Sequence, residues 1–564
     1  MSNNMNEIDF PTVHYDEWKE EAIKSLKGKP FEALFTKTVE GVTLKPLYTQ
    51  EMLEEKLGDQ LEKQISTIRS LKASNAIEAA QTIYGDNTEQ FFENLKDSIE
   101  RGNNCITIDS RVLEWDDESL TQLAQYLTKY SFKLLVQEND SILSVFDKIP
   151  QSDREKVKGY IVSKNVVSLD EFPNVRTFAA NTVTYHYEGA HHVQELALAL
   201  AQAASYAEKC DSFETLAKKF FVNFAIDTHF FQEIANLRAF KVLLKAFAKG
   251  FGAEAVPVPV LTETSLRSYS KYDIYVNLLR AGNEAFAAFI GGADAITVHP
   301  HDVLTKPTEQ SIRIARNVVL VLKEESFVAD VLDPSGGSYF IESLTAEYVE
   351  KAWELFLEIQ EAGGIEQYEK SGQLEAALQE VYNERIEQVE TRKHSLIGTN
   401  IYANPQDKLQ KETNPLYADV KRLAIPFENL REMYSEVKPK IGILTFGKLK
   451  EFKPRADYVQ GFFATAGVVP EQSGEIESID DAKRWLNETD ADYVVVATTD
   501  EHTKALVPAL LESKKEGLLL DVAGRFKEEE QEWLTKGVNG FIYAGQNIVK
   551  KLSELLESLK EVQR

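Results

Sequence analysis

Phe221-Val-Asn-Phe-Ala-Ile226 is a short run that is apolar on both faces except for Asn223, and apolar residues at helical spacing follow it from Phe230 to Phe247. A strand buried on both faces with a helix directly after it is the repeating unit of a parallel sheet covered by helices. The unit recurs on either side. Upstream are Cys105-Ile-Thr-Ile-Asp109, Lys133-Leu-Leu-Val136, Gly159-Tyr-Ile-Val162 and Phe178-Ala-Ala-Asn-Thr-Val183. Downstream are Ala255-Val-Pro-Val-Pro-Val260 and Ala293-Asp-Ala-Ile-Thr-Val298, and helical patterns such as Val193 to Ala207 lie between most runs. Seven such strands between Ser66 and Ala377 fit an eight-stranded (β/α)8 TIM barrel better than an open sheet.

Outward from this core the chain divides into four parts. Residues 1–45 carry Trp18, Phe31 and Phe35 as scattered anchors and read as an extended arm that packs on something, since aromatics are uncommon in disordered segments. Residues 46–395 hold the barrel, ending in a helical stretch from Tyr339 to about Val389 with Glu-rich exposed faces. Residues 396–437 lose periodicity and carry Asn404-Pro405, Asn414-Pro415 and Ile425-Pro426, the pattern of a linker crossing a surface. Residues 438–564 resume strand–helix alternation. Ile441-Gly-Ile-Leu-Thr445, Tyr493-Val-Val-Val-Ala497, Leu518-Leu-Leu-Asp521 and Gly540-Phe-Ile-Tyr543 are its strands, which predicts a flavodoxin-like doubly wound domain.

Composition excludes several classes of function. The chain has 564 residues, 63 basic against 90 acidic, for a formal charge of −27. Binding to a phosphate backbone needs clustered Lys and Arg, so a nucleic-acid protein is not expected. The same field works against an anionic ligand such as a CoA ester unless a local basic patch overrides it. No apolar run reaches the ~18 residues of a membrane span, and Met1-Ser-Asn-Asn-Met-Asn-Glu7 has neither the basic nor the apolar region of a secretory signal. Cys105 and Cys210 are too few for a disulfide framework or a cysteine zinc cluster, so the expected state is reduced and the expected location cytoplasmic.

Three segments resemble the methylmalonyl-CoA mutase family. They are Thr38-Val-Glu-Gly-Val-Thr-Leu-Lys-Pro-Leu-Tyr-Thr49, the stretch from Asn223 to Phe230-Phe-Gln-Glu-Ile-Ala-Asn-Leu-Arg238, and the stretch from Arg313-Ile-Ala-Arg-Asn317 to Asp333-Pro-Ser-Gly-Gly-Ser-Tyr-Phe-Ile-Glu-Ser-Leu-Thr345. They occur in the family's order, and the likeness extends over nearly the whole chain. The resemblance implies a barrel that holds acyl-CoA and a C-terminal cobalamin-binding-type domain. Together these isomerise succinyl-CoA and (R)-methylmalonyl-CoA through radicals from adenosylcobalamin. The cofactor carries the radical chemistry and the protein supplies the cobalt ligand, orientation and a closed pocket.

This sequence departs from the family where those roles are filled. In the family's D-x-H-x-x-G cobalt motif, Leu449 stands at the Asp, Glu451 at the His and Pro454 at the Gly. Leu cannot orient a ligand, Glu is a poor soft-metal ligand, and Pro fixes φ where glycine is needed. His502 is the one histidine of this domain, and a solvent-facing place near a helix start is its simpler reading. In Thr67-Ile-Arg-Ser-Leu-Lys-Ala-Ser74, Leu71 replaces the family Tyr that reaches the radical centre, and the small-residue turn after it is replaced as well. At the His that bonds the thioester carbonyl, ungapped alignment gives Thr184 and a two-residue gap gives His186. A further family His falls on Thr297, with His299 and His301 nearby.

The remaining polar candidates have plainer readings beside them. His299-Pro-His301 would lie at the C-terminal mouth of the barrel, yet no acid completes a metal set and Pro300 splays the rings. His191 and His192 are adjacent, so on a helix they cannot share a metal, and cap or surface roles suit them. Arg238, Arg313 and Arg316 are candidates for CoA phosphates or, more simply, for structural ion pairs. Asp333-Pro-Ser-Gly-Gly is a corner.

The family includes bacterial heterodimers, and these departures are those expected of their small (beta) subunit. The resemblance therefore implies no catalytic, cofactor-binding or metal-ligating residue in this chain. It implies a heterodimer in which the large (alpha) subunit holds adenosylcobalamin and substrate while this chain, inactive alone, stabilises it. A barrel freed of catalysis would have its axis filled by bulkier side chains, because a vacated tunnel is a destabilising cavity. The alternatives are a self-sufficient cobalamin-dependent acyl-CoA mutase and an interaction module without mutase activity.

Overall fold

A computed structural model describes residues 13–72, 77–410 and 412–562. Eight strands run parallel: β1 (Glu78–Ala79), β2 (Cys105–Asp109), β3 (Ser131–Leu135), β4 (Gly159–Val162), β5 (Val175–Arg176, resuming at Phe178–Asn181), β6 (Phe220–Ile226), β7 (Val260–Thr264) and β8 (Ala295–Thr297). From β2 onward each pairs with the next, β4 with the first half of β5 and β6 with the second. β8 returns to β1 with Ala295 opposite Glu78, and a bridge beyond β1 joins Thr82 to Thr107 of β2. The pairing thus runs in a circle.

Two strands differ from the sequence expectation. β1 is two residues long and has no apolar run to announce it. The Ala255–Val260 segment is not a strand; pairing begins at Val260, where Pro257 and Pro259, which have no N–H to donate, are left behind.

Alternation along each strand divides its side chains. Val222, Phe224 and Ile226 face outward into the largest apolar cluster, with α1 (His192–Ala207), α2 (Phe230–Gly250) and α3 (Ile274–Gly291). Inward, Ala80, Cys105, Val162, Ala179, Phe221, Leu261 and Ala295 form a separate apolar layer contributed by strands all round the circle. Two residues further along their strands, and therefore on the same inner face, stand Thr107, Asn181, Asn223, Glu263 and Thr297. A polar layer is stacked on an apolar one.

The flanking segments are more structured than expected. Within 1–45, Tyr15–Ser25 is a helix rather than an extended arm, with Asp16 and Glu17 in its first turn where the helix dipole favours acids. Its Trp18 meets Phe31 edge-on and Phe31 meets Phe35 the same way, so the anchors pack on one another. Residues 1–12 of the arm lie outside the described residues. The helical stretch after 339 is three helices, Tyr339–Glu361, Ile365–Lys370 and α4 (Gln373–Glu390).

The 396–437 segment is held down on the first unit. Asn414 donates its amide N–H groups to Leu304 O and Val303 O, each at 3.0 Å, and Leu423 N–H donates to Arg267 O at 2.9 Å. Arg422 forms a two-pronged pair with Glu428 at 2.6 and 2.7 Å.

The last part holds five parallel strands, β9 (Ile441–Thr445), β10 (Glu471–Gln472), β11 (Tyr493–Ala497), β12 (Leu519–Ala523) and β13 (Gly540–Ile542), in spatial order β10-β9-β11-β12-β13. The central strands are buried throughout, which is why their sequences are unbroken apolar runs. β10 is a two-residue exposed edge and carries no such signal. The chain is therefore mixed α/β, built on parallel sheets. Among the described residues no helix is long and apolar enough to cross a membrane.

Candidate functional site

The polar layer inside the circle is the first cluster that needs explaining. Lys133, flanked by outward-facing Phe132 and Leu134, points inward from β3, and its Nζ lies 2.9 Å from Glu263 Oε2 and donates to Asn223 Oδ1 at 2.9 Å. Asn223 donates in turn to Asn181 Oδ1 at 2.9 Å. Lys133 and Asn223 are each 1 % exposed, so the layer plugs the interior instead of lining an open one. Burial pushes Glu263 up, but Lys133 and then His299 outweigh it and hold the carboxyl well below its usual range.

His299 stands past the end of β8, its Nε2 3.6 Å from Glu263 Oε1, which is beyond hydrogen-bond reach. Tyr417 of the 396–437 segment packs edge-on against it with ring centres 5.3 Å apart. Arg111 of the β2 end also donates to Leu416 O at 3.2 Å. The linker therefore covers the strand ends. His301 packs on Tyr275 instead, so the two histidines part as their intervening proline implies.

A second cluster lies at the ends of β6 and β7. Asp227 follows β6 and accepts from Arg267 Nε at 2.9 Å, Ser268 Oγ at 2.8 Å and Thr228 N–H at 2.7 Å. Burial raises it, but Arg267 and the nearby imidazoles hold it well below the ordinary carboxylate range. His186 is buried between Glu195 Oε1, 2.8 Å from Nδ1, and Ser265 Oγ, 2.7 Å from Nε2. Burial and then Arg267 lower its pKa despite Glu195. The Ser265–His186–Glu195 relay has the spacing of a nucleophile, base and orienter. Ser265 is fully buried and also accepts Arg267 N–H at 3.1 Å, which fits a bracing role. Thr184 lies on the exposed side of its short helix while His186 points inside.

His192 completes this end of the molecule. Its Nδ1 is 2.7 Å from Glu40 and its Nε2 3.0 Å from Glu233, with the Tyr348 ring stacked on it. Burial disfavours its charge, yet Glu233 and Glu40 raise it to about 10. His191 caps α1, its Nδ1 accepting Gln194 N–H at 3.2 Å, so the pair divides into one cap and one buried cation.

The other candidates are placed as follows. Leu71 is 4 % exposed at the end of the Gln60–Ser70 helix, and Ala73 and Ser74 of the turn after it lie outside the described residues, 73–76 being omitted. Arg238 pairs with both Asp333 and Glu342, and Gln64 donates to Glu342 at 2.6 Å, a structural tie between α2 and the Asp333 corner. Arg313 and Arg316 border a groove of about 520 Å³ whose walls also carry Glu93, Asp97 and Glu309. Among the described residues no group of three or more His, Cys, Asp or Glu is arranged to hold a metal ion.

In the C-terminal sheet, the segment 446–454 is not a loop. The helix α5 (Leu449–Ala464) begins inside it and contains Pro454. Glu451 accepts Lys448 N–H at 2.8 Å and so caps that helix, while Leu449 is exposed. Gly447, at φ +91°, sits where an added Cβ would lie 2.6 Å from Glu451 Oε2 and 3.1 Å from His502 Nδ1. His502 is thus half-buried against Phe446 rather than solvent-facing, because the tight glycine turn lets its ring in. The imidazole is packed, the carboxylate is engaged, and these residues do not fit the coordination of a corrin cobalt.

These features define an α/β protein in which His186 and His192 are tied to buried carboxylates, while His299 and His301 pack on tyrosine rings. The profile of the family described as Methylmalonyl-CoA mutase matches residues 161–438. A "Methylmalonyl-CoA mutase small subunit" of Porphyromonas gingivalis is 28 % identical over 96 % of this chain and 97 % of its own. One of the same name from Propionibacterium freudenreichii subsp. shermanii is 26 % identical over 98 % and 96 %. A "Methylmalonyl-CoA mutase" of Rhizobium meliloti is 33 % identical over 45 % of this chain and 37 % of its own. Over nearly its whole length the chain is similar to proteins of the methylmalonyl-CoA mutase family.

Sequence reasoning missed Lys133, Asn223, Glu263, Asp227, Arg267 and Glu195. The signal for three of them was present: a lone polar residue inside or directly beside an apolar strand run faces the interior and needs a partner there.

Proposed function

We propose that this chain is the small (beta) subunit of a heterodimeric methylmalonyl-CoA mutase, a cytoplasmic isomerase. It has no catalytic residue of its own and stabilises a large (alpha) subunit. That partner holds adenosylcobalamin and interconverts succinyl-CoA and (R)-methylmalonyl-CoA. In this reading residues 46–395 are a (β/α)8 TIM barrel, 396–437 a linker laid over its mouth, and 438–564 a flavodoxin-like domain with a degenerate cobalamin motif. Strand order 2-1-3-4-5 in the last sheet supports the second assignment.

The observation that carries the reading is Glu451. At the place of the cobalt-binding imidazole stands a carboxylate that caps the helix it belongs to. The plugged interior, with Lys133 and Glu263 paired across it, agrees with a barrel relieved of substrate. The relatives named small subunit support the pairing.

The test is to purify the chain alone and with a candidate large subunit, and to measure adenosylcobalamin binding and mutase turnover in each. The expected result is neither in the isolated chain and both in a stoichiometric complex. Cobalamin binding or turnover by the isolated chain would overturn the reading.

A further inference from the structure

Apart from the plugged interior, a cavity of about 270 Å³ lies between the 36–44 segment, the start of α2 and the end of α4. Arg385 of α4 forms part of its wall. This side chain is only 7 % exposed, and its Nε and Nη2 have no hydrogen-bond partner. Among the described residues no carboxylate lies within ion-pair distance of it, although Glu40 and Asp227 act on it from further off. Asp227 on the same wall is taken by Arg267 and Ser268, and Glu40 gives one oxygen to His192. The other Glu40 oxygen is, like Arg385, buried without a partner.

A guanidinium is rarely buried unpaired, because taking its charge out of water is costly unless an anion compensates. The rest of the wall suits such an anion. His229 and His394 lie with ring centres 5.4 Å apart, and Lys37 and Lys393 stand exposed at the rim. The cavity has room for roughly nine waters at ~30 Å³ each, the size of a small organic acid.

From the unpaired Arg385, the cavity beside it and the cationic rim, we infer that this is a binding site for a small oxyanion-bearing molecule. Its carboxylate or phosphate group pairs with Arg385, whose planar fork matches either. A hydroxyl on the same molecule donates to the free Glu40 oxygen. The site does not depend on the subunit pairing proposed above.

The experiment uses the full chain. Thermal shift and calorimetry are run with inorganic phosphate, acetate and glycolate up to about 10 mM, within the range of a millimolar Kd. Saturable binding of at least one probe is expected, weakened about tenfold or more in R385Q, with K393Q losing less. A phosphate response with none to the carboxylates assigns a phosphate group, and the reverse assigns a carboxylate, glycolate exceeding acetate if Glu40 takes part. Without probe, R385Q is expected to melt no lower than the parent, since it removes a buried charge whose Nε and Nη2 make no hydrogen bond. No response of the parent to any probe overturns the inference. So does an equal response in R385Q, or a lower melting point of R385Q with no probe response in the parent, which would make Arg385 a counter-charge for Glu40 and Asp227.

Discussion

Replacing Lys133 with methionine should be the most damaging single change in the ring interior. Met fills nearly the same volume, so the loss is electrostatic rather than a cavity. At 2.9 Å and an effective dielectric of about 20, the pair's attraction is about 6 kcal/mol, part of which offsets the cost of burying both charges. Removing one partner leaves the Glu263 carboxylate with only Asn223 Nδ2 at 3.5 Å and His299 at 3.6 Å. The expected cost is about 3–5 kcal/mol. Replacing both, K133M with E263L, should cost far less than the sum of the two single changes, because no charge is stranded.

Acid sensitivity supplies a sign. The Glu263 pKa is depressed on folding, so its contribution is fully present above the unfolded value of about 4.3 and is lost progressively as pH falls from there through the depressed folded value. Urea unfolding of the four proteins at pH 7 and at about pH 3, followed by circular dichroism, makes the comparison. Additive single and double effects, or a K133M cost under about 1 kcal/mol, would refute a buried, coupled pair.

Two further outcomes follow from neighbouring residues. His192 is raised to about 10 on folding, so its stabilisation is fully present below an unfolded pKa of about 6.5 and disappears as pH rises through 10. H192F should cost about 3 kcal/mol at neutral pH by stranding Glu40 and Glu233, and should flatten the alkaline side of a melting-temperature-against-pH curve. G189A should cost about 2–4 kcal/mol by urea titration, since Gly189 has φ +124° and an added Cβ would meet Leu378 O of α4 at 2.4 Å; a neutral result would mean the two helices separate easily.

The sequence revealed the sheets well and the site poorly, for one physical reason. Cys105–Asp109, Gly159–Val162, Ile441–Thr445 and Tyr493–Ala497 carry the apolar runs that a doubly covered strand requires, and each begins and ends where those runs do. Glu78–Ala79 and Glu471–Gln472 are too short for any periodicity. The interior network joins positions 133, 181, 223 and 263, which only closure of the strand circle brings together. Spacing along a chain cannot encode that closure. Arg385 was equally hidden, on a helix whose Glu-rich faces suggested only a solvated cover.

The hold of the 396–437 segment on the strand ends also sets an order of events during synthesis. The last ring strand ends at Thr297, whereas Asn414 and Tyr417, which seat over Val303 and His299, come roughly 120 residues later. At about 5–20 residues per second, a nascent chain holds a complete but uncovered ring for on the order of ten seconds. A ribosome stalled before residue 414 would present that uncovered end, with its histidines and tyrosines, to whatever binds nascent chains.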